Sequence, residues 1–350
     1  MIKYDTEKFI VKQKIGKLYG QEKEHEILKK DKTVLVQKLG KGENLERSVS
    51  EAFSKIKAEE IINEGDLVAI KLNLGGGINY MPTTYSDPII CEVIIKTIKK
   101  FGGKPFACEA NMRALTINDN VLKERGYWGI LRKNKCKFVN LTKYTTVKMK
   151  CLSLDVPLKL PEVLLKPNVK IISFAPPKHH WECGITGNQK NMFGAISEYR
   201  KSIYHRRYDK LDKAIAAAAR IMSPDINILA TFDLGTKNPH FPSVIKNYNR
   251  MIISKDMIRG DKVLSEILAY PFRYVKYSMI NTKEKDIDYI LHPDSSWPEE
   301  EILEKIKENS INLDTVNMWR SILFLQYYIP HSFQIKIFPP IESILSLIKR

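Results

Sequence analysis

Apolar positions recur along this chain at two spacings, and the change from one to the other marks out its elements. Leu45, Val49, Ala52, Phe53 and Ile56 keep the rhythm of a helix buried on one face, with Gly65 placed to stop it. Residues 67–72 then read as a short buried strand, followed by a loop over 73–87 that contains glycines at 75, 76 and 77. Asp87-Pro88 predicts a helix start, with Asp as the cap and Pro in the first turn, and Ile90, Val93, Ile94 and Ile98 supply its apolar face. Gly102-Gly103 ends that helix, and residues 104–109 resume as a strand. Strand, helix, strand in this order is a βαβ unit, which calls for parallel strands and a right-handed crossover.

The pattern continues less cleanly. Helices are expected over 118–125 and 128–133, a strand over 137–141, a short helix over 161–166 and a strand over 169–174. Leu211, Ala214, Ile215, Ala218 and Ile221 predict a helix over 209–222, ended by Pro224. Strands over 226–232 and 250–254 and a helix over 263–268 follow. The first 44 residues are polar and lysine-rich, with one strand candidate at 33–37. Residues 293–350 are apolar and aromatic, either a packed subdomain or a patch for oligomerisation or peripheral membrane contact. The expectation is an α/β fold: a mostly parallel sheet with helices on both faces, plus a small C-terminal subdomain. It divides the chain into an N-terminal extension (1–44), an α/β domain (45–290) and an apolar C-terminal part (291–350). The strands at 67–72, 104–109, 169–174 and 226–232 should share one sheet, with their carboxyl ends on one edge.

Charge adds a partner class. Lys and Arg number 57 against 40 Asp and Glu, a formal net charge of +17. Such an excess either draws anions or makes a solvated lysine-rich surface. The five cysteines, at 91, 108, 136, 151 and 183, form no C-x-x-C, so no iron–sulfur cluster or zinc knuckle is expected. Their odd count and wide spacing suit a reducing compartment. No signal-like segment opens the chain, and no run approaches the length that spans a bilayer, so the expected location is cytoplasmic.

In open parallel sheets ligands sit beyond the carboxyl ends of the strands. That rule selects Asn73, Thr83 and Thr84 after the first strand, Glu109 and Asn111 after the second, Lys178, His179, His180 and Lys190 after the third, and Asp233 after the fourth. The densest stretch is 178–200, which adds Glu182, Cys183 and Arg200; its prolines and glycines predict a loop. There Lys190 is the candidate to hold an anion or a covalent adduct, and His180, with His179 as the other choice, the candidate acid/base. Asn73, Thr83 and Thr84 would position the ligand. Glu109 and Asp233 would orient a histidine or bind a metal. His179 and Cys183 have metal-ligand spacing only on a helix, which the glycines and prolines argue against. Just downstream, Arg200, Lys201, His205, Arg206 and Arg207 interleave with Tyr199, Tyr204 and Tyr208. That mixture suits nucleic acid, or the steering of a small anion into the adjacent loop; the second needs one site only.

These residues carry a resemblance. Lys71-Leu72-Asn73, Thr83-Thr84 ahead of Asp87-Pro88, the run from Thr186 to Gly194, and Ser254-Lys255-Asp256 with Asp261 together resemble the domain-of-unknown-function family 362, over roughly 45–270. The resemblance places Lys190 and Asn191 in the family's most specific loop. Many members carry a ferredoxin-like cysteine cluster that this chain lacks. More distantly, the stretch is similar to the N-terminal domain of lactate racemase-type enzymes, in which a lysine anchors a nickel pincer nucleotide and histidines move the proton or hydride and ligate the metal. On that resemblance Lys190, His180 and His205 would take those roles. The family's double glycine is Asn188-Gln189 here, and its histidine after the second strand falls in Glu109-Ala110-Asn111. The leading expectation is an enzyme acting on a small anionic substrate or cofactor at the sheet edge, racemase/isomerase-like or redox, with a nickel pincer nucleotide or divalent metal as an option. The rival is a non-catalytic binding protein for nucleic acid or an acidic partner.

Overall fold

Strands with runs of apolar residues can be buried on both faces, and such strands form the centre of this protein. The computed structural model describes residues 1–75, 81–112, 115–198, 201–205, 209–238 and 242–324, with the backbone alone at Ser202, His205 and 322–324. The chain opens with β1 (Ile2–Asp5), β2 (Phe9–Lys14), β3 (Lys17–Glu22), β4 (Thr33–Lys38) and α1 (Glu43–Lys55). Then come β5 (Leu67–Lys71), α2 (Pro88–Lys100), β6 (Lys104–Glu109), α3 (Asp119–Glu124), α4 (Tyr127–Lys133) and β7 (Lys137–Asn140). The middle holds β8 (Thr146–Lys150), β9 (Leu158–Pro161), β10 (Val169–Ala175), β11 (Lys178–His180), β12 (Gly184–Thr186), α5 (Asn188–Gly194) and α6 (Lys210–Ile221). The last part holds β13 (Ile226–Thr231), β14 (Leu234–Thr236), β15 (Ser243–Ile245), β16 (Arg250–Ser254), α7 (Met257–Ile267), α8 (Lys276–Thr282), β17 (Ile290–Leu291), α9 (Glu300–Glu308) and α10 (Leu313–Phe324).

Among the described residues the main sheet has eight strands in the order β17-β4-β16-β13-β10-β5-β6-β7. The run from β13 to β7 is parallel throughout, so the four expected strands share one sheet and one carboxyl edge. β16 is antiparallel to both β13 and β4. Alternate residues face two separate cores. Val68, Ile70, Ile172, Phe174 and Ile228 pack under α1, α2 and α4, whereas Ala69, Ile171, Ala175 and Leu229 pack under α6 and α7. Helices therefore cover both faces, as the α/β reading requires. The α2 start is as the sequence predicts: the Asp87 carboxylate accepts from the N–H groups of Ile89 and Ile90 at 2.8 and 3.1 Å.

Three expectations need correcting. Residues 178–200 are not simply a loop. They begin as the antiparallel pair β11–β12 and continue as α5. Gly184, at φ 78°, turns the corner that was read as a break. The expected helix at 161–166 is a 3-10 turn, Glu162–Leu165. Residues 1–44 are no appendage: β1, β2 and β3 join β8 and β9 in a five-stranded sheet, and β4 lies in the main sheet. The described part of the C-terminal segment shares the main core, with β17 paired to β4 and Ile306, Ile311 and Val316 in one cluster with α6 and α7. Most of its aromatic stretch, 325–350, lies outside the described residues. Among the described residues no helix is long and apolar enough to cross a membrane.

Candidate anion-binding site

From β5 the chain moves outward through β6 and β7, then returns to β10 on the other side of β5 and continues to β13. This reversal opens a crevice at the carboxyl ends of β5 and β10, the place where open α/β sheets take ligands. One side chain spans it. Asn191, on α5, donates from Nδ2 to the Lys71 carbonyl and to Ser173 Oγ, both at 3.0 Å, and its Oδ1 accepts from Lys71 Nζ at 3.3 Å.

Lys71 ends β5 and is wholly buried. Its ammonium lies 2.8 Å from Glu109 at the end of β6 and also donates to the Leu72 carbonyl at 2.7 Å. Glu109 accepts further from the N–H groups of Ala110 and Leu74. Gly194 closes the lid over this pair, since a Cβ there would lie 2.9 Å from Lys71 Nζ. At the other end of the helix a Cβ on Gly187 would lie 2.3 Å from Asp261. That carboxylate caps α5 by accepting from the N–H groups of Asn188 and Gln189 at 2.6 and 3.1 Å. Capping fixes the register of α5, and with it the directions of Lys190 and Asn191.

More positive charge surrounds the pair. Lys201 is buried, and its Nζ donates to the Gly194 carbonyl at 2.7 Å. Burial, opposed by Glu109 and reinforced by Lys71 and Lys190, holds its ammonium down at about 7. Lys178, on β11, is buried with its Nζ on the Thr84 carbonyl. Burial first, then the charges of Lys190 and Arg125, bring it to about 7 as well. Lys190 acts on both of these lysines, is only half-buried, and makes no hydrogen bond or ion pair among the described residues. Among the described residues Glu109 is the carboxylate that pairs with Lys71 and acts on Lys201, and none acts on Lys178. The segments between 76 and 241 that lie outside the described residues add arginines at 113, 200, 206 and 207 to the sequence and no Asp or Glu.

The sequence candidates divide. Asn191, Glu109, Thr84 and Lys190 come together around Lys71 and Lys178. Thr83 stands beside β14, with its hydroxyl buried and without a hydrogen-bond partner among the described residues. Asn73 shapes the glycine loop by accepting the Gly75 N–H on Oδ1; its own N–H donates to Ser86 Oγ and its carbonyl accepts from the Ser86 N–H. His179 and His180 point to opposite sides of β11. His179 is sealed in the core, where Nε2 donates to the Leu268 carbonyl at 2.9 Å; burial brings it down to about 4. His180 shares the side of Lys178, is partly exposed, and accepts the Glu182 N–H on Nδ1. Asp233 stands apart, its two oxygens taken by Lys246 and by the Asn247 N–H. Arg200 and the His205 side chain lie outside the described residues. Among the described residues no three His, Cys, Asp or Glu side chains gather as a metal site. Asn188 and Gln189 fill the places of the lactate racemase-type double glycine with buried side chains, and Gln189 is bonded to Asp261, Ser278 and Asn281. The backbone ahead of Lys190 is therefore not open to a nucleotide as that pattern needs, and no step is derived through such a group.

Of the remaining members of the site, Lys71 entered only through the family motif and Lys201 only as one of several basic residues that could steer an anion, and Arg125 was not singled out from the sequence. Lys71 was legible in principle, as the one charged residue closing an otherwise apolar strand. The burial of Lys201 and Arg125 carries no such mark, because only folding reveals it.

The family described as Domain of unknown function (DUF362) matches residues 68–266, more than half of the chain and all of the crevice. No curated protein matches.

Proposed function

Since the chain belongs to the family of the domain of unknown function DUF362, whose description carries no chemistry, we propose from the geometry that it is an enzyme acting on a small, multiply charged anion at this crevice. The observation that carries the reading is the imbalance of charge: among the described residues, buried Lys71, Lys178 and Lys201 and half-buried Lys190 stand against the one carboxylate of Glu109. Buried charge of one sign calls for a counter-charge, and a phosphate or dicarboxylate supplies it. Lys190 makes the first contact. Lys178 and Lys201, held down at about 7 by burial, take up protons as the anion enters. The unpartnered Thr83 hydroxyl donates a hydrogen bond, and His180 serves as acid/base for the chemical step.

Calorimetric titration of the full chain with phosphate, pyrophosphate and malonate at low salt tests this. Binding should weaken more than about tenfold in Lys190→Ala and survive in Lys190→Arg, which keeps the charge. Undiminished affinity in the alanine variant would sink the proposal. Binding only to long polyanions, with a steep salt dependence, would replace it with a nucleic-acid role.

A further inference from the structure

The five-stranded sheet has one face in the core and one in solvent. Val11, Leu18, Val147, Met149, Leu158 and Leu160 fill the inner face. On the outer face the strand register aligns Lys12 with Tyr19, Tyr19 with Lys148, and Gln21 with Lys150. Lys14 and Lys17 face each other beside the turn. Lys12, Lys14, Lys17, Lys148 and Lys150 are all exposed and make no ion pair among the described residues. The acids of the hairpin lie elsewhere: Asp5 and Glu7 are at the end away from the turn, and Glu22 is turned inward onto Arg220.

The turn itself is unusual. Ile15 and Gly16 both have left-handed backbones, at φ 46° and 71°, which makes a two-residue hairpin of the type that favours Asn-Gly. A β-branched residue is the wrong one for that conformation. Nor does packing explain it, since Ile15 is 101% exposed. Tyr19 and Ile2, at 41% and 56% exposed, stand nearby on the same sheet. An isoleucine at a site that disfavours it, with no packing among the described residues, presents its whole side chain for burial in a partner. An apolar tip ringed by unpaired lysines matches one surface in both charge and polarity.

We propose that this hairpin docks the protein on an anionic lipid bilayer, with Ile15 inserting among the acyl chains and Lys12, Lys14, Lys17, Lys148 and Lys150 facing the headgroup phosphates. The interaction is peripheral, and it is independent of the crevice: its failure would leave the anion-site reading untouched. Because the sheet face is basic, RNA is the competing polyanion, and Ile15 separates the two. RNA has no use for an apolar tip.

Flotation of the full chain with phosphatidylcholine vesicles, with and without phosphatidylglycerol at one part in three, provides the test. Binding is expected with the anionic vesicles only, and should fall about fivefold for each lysine of the tip changed to glutamine. Ile15→Asn suits the left-handed backbone, so the fold should be kept or gain stability, while vesicle binding drops about tenfold. Equal binding by Ile15→Asn, no preference for anionic vesicles, or tight binding to polyuridine that ignores Ile15→Asn would each overturn the proposal.

Discussion

Arg220 and Arg320 are nearly as deeply buried as the lysines of the crevice, yet their surroundings differ in kind. Arg320 holds both oxygens of Asp212, at 2.6 and 2.9 Å, and donates from Nε to the Glu182 carbonyl at 2.5 Å. Arg220 likewise holds both oxygens of Glu22 and fills its remaining donors with Asn281 and Ser153. Each arginine meets a matched carboxylate in the two-pronged geometry that suits it. In the crevice, Glu109 pairs with Lys71 and acts on Lys201, while Lys178 meets no carboxylate among the described residues. The arginine pairs tie distant parts of the chain: the C-terminal α10 to α6, and the N-terminal β3 to α6. The lysines tie little and leave charge unmatched. Balanced burial marks a structural fastening, and unbalanced burial marks a place kept for a ligand.

The largest effect should come from breaking a balanced pair. Asp212→Ala leaves Arg320 buried without its carboxylate and should remove about 3–5 kcal/mol of stability, measured by urea unfolding. Anion affinity of the folded fraction should be unchanged. A loss under about 1 kcal/mol would mean that the pair is no fastening.

Glu109→Gln makes the same kind of break inside the crevice, with a different signature. It removes the one negative charge near Lys71 and Lys201, so the unliganded protein should lose about 3 kcal/mol. Phosphate should restore most of that loss, because it supplies what the variant lacks. The same urea curves with and without phosphate measure it. If phosphate stabilises variant and wild type alike, Glu109 and the anion do not share a field.

The sequence marks these two kinds of region unequally. β5, β6, β10 and β13 were legible because each carries apolar residues on both faces, as a strand buried on both sides requires. β1 to β3 were not. On β3 the inward places belong to Leu18, Gly20 and Glu22, so one apolar residue in three carries the alternation, and Glu22 is tolerated there because Arg220 meets it. Asn73, Glu109, Asn191 and Lys190 were legible through the strand-edge rule and the family pattern. The burial of Lys178 and Lys201, which gives the site its character, depends on α5 folding back over β10, and no local pattern announces that.

The unmatched lysines should show in the pH dependence. Lys178 and Lys201 sit at about 7 in the fold, below the ordinary lysine value. Between about pH 7 and 10 the unfolded chain therefore binds protons that the fold does not, and stability rises with pH, by at most about 1.4 kcal/mol per unit for each lysine. Below pH 7 both are charged and their full desolvation penalty is present. Saturating phosphate raises both values and should flatten the slope. Urea midpoints at pH 7 and 9 check this, and a slope that phosphate leaves unchanged would place the anion elsewhere.

The smallest effect separates the two histidines of β11. His179 is neutral in the fold down to about pH 4, because burial opposes its charge, whereas in the unfolded chain it protonates near its ordinary 6.5. A lowered histidine value means that the unfolded state gains a proton first, so stability is lost as pH falls from 6.5 towards 4, by at most about 1.4 kcal/mol per unit. His179→Gln keeps a side-chain donor for the Leu268 carbonyl and cannot titrate. It should therefore shrink the difference in urea midpoint between pH 7 and 5 while leaving malonate affinity as it was. His180→Gln should do the opposite, preserving the acid slope and altering the pH profile of whatever reaction the bound anion undergoes. If His179→Gln abolishes anion binding with its fold intact, the site reaches through β11 to its buried face, and the histidine in contact with the ligand is the one the fold has hidden.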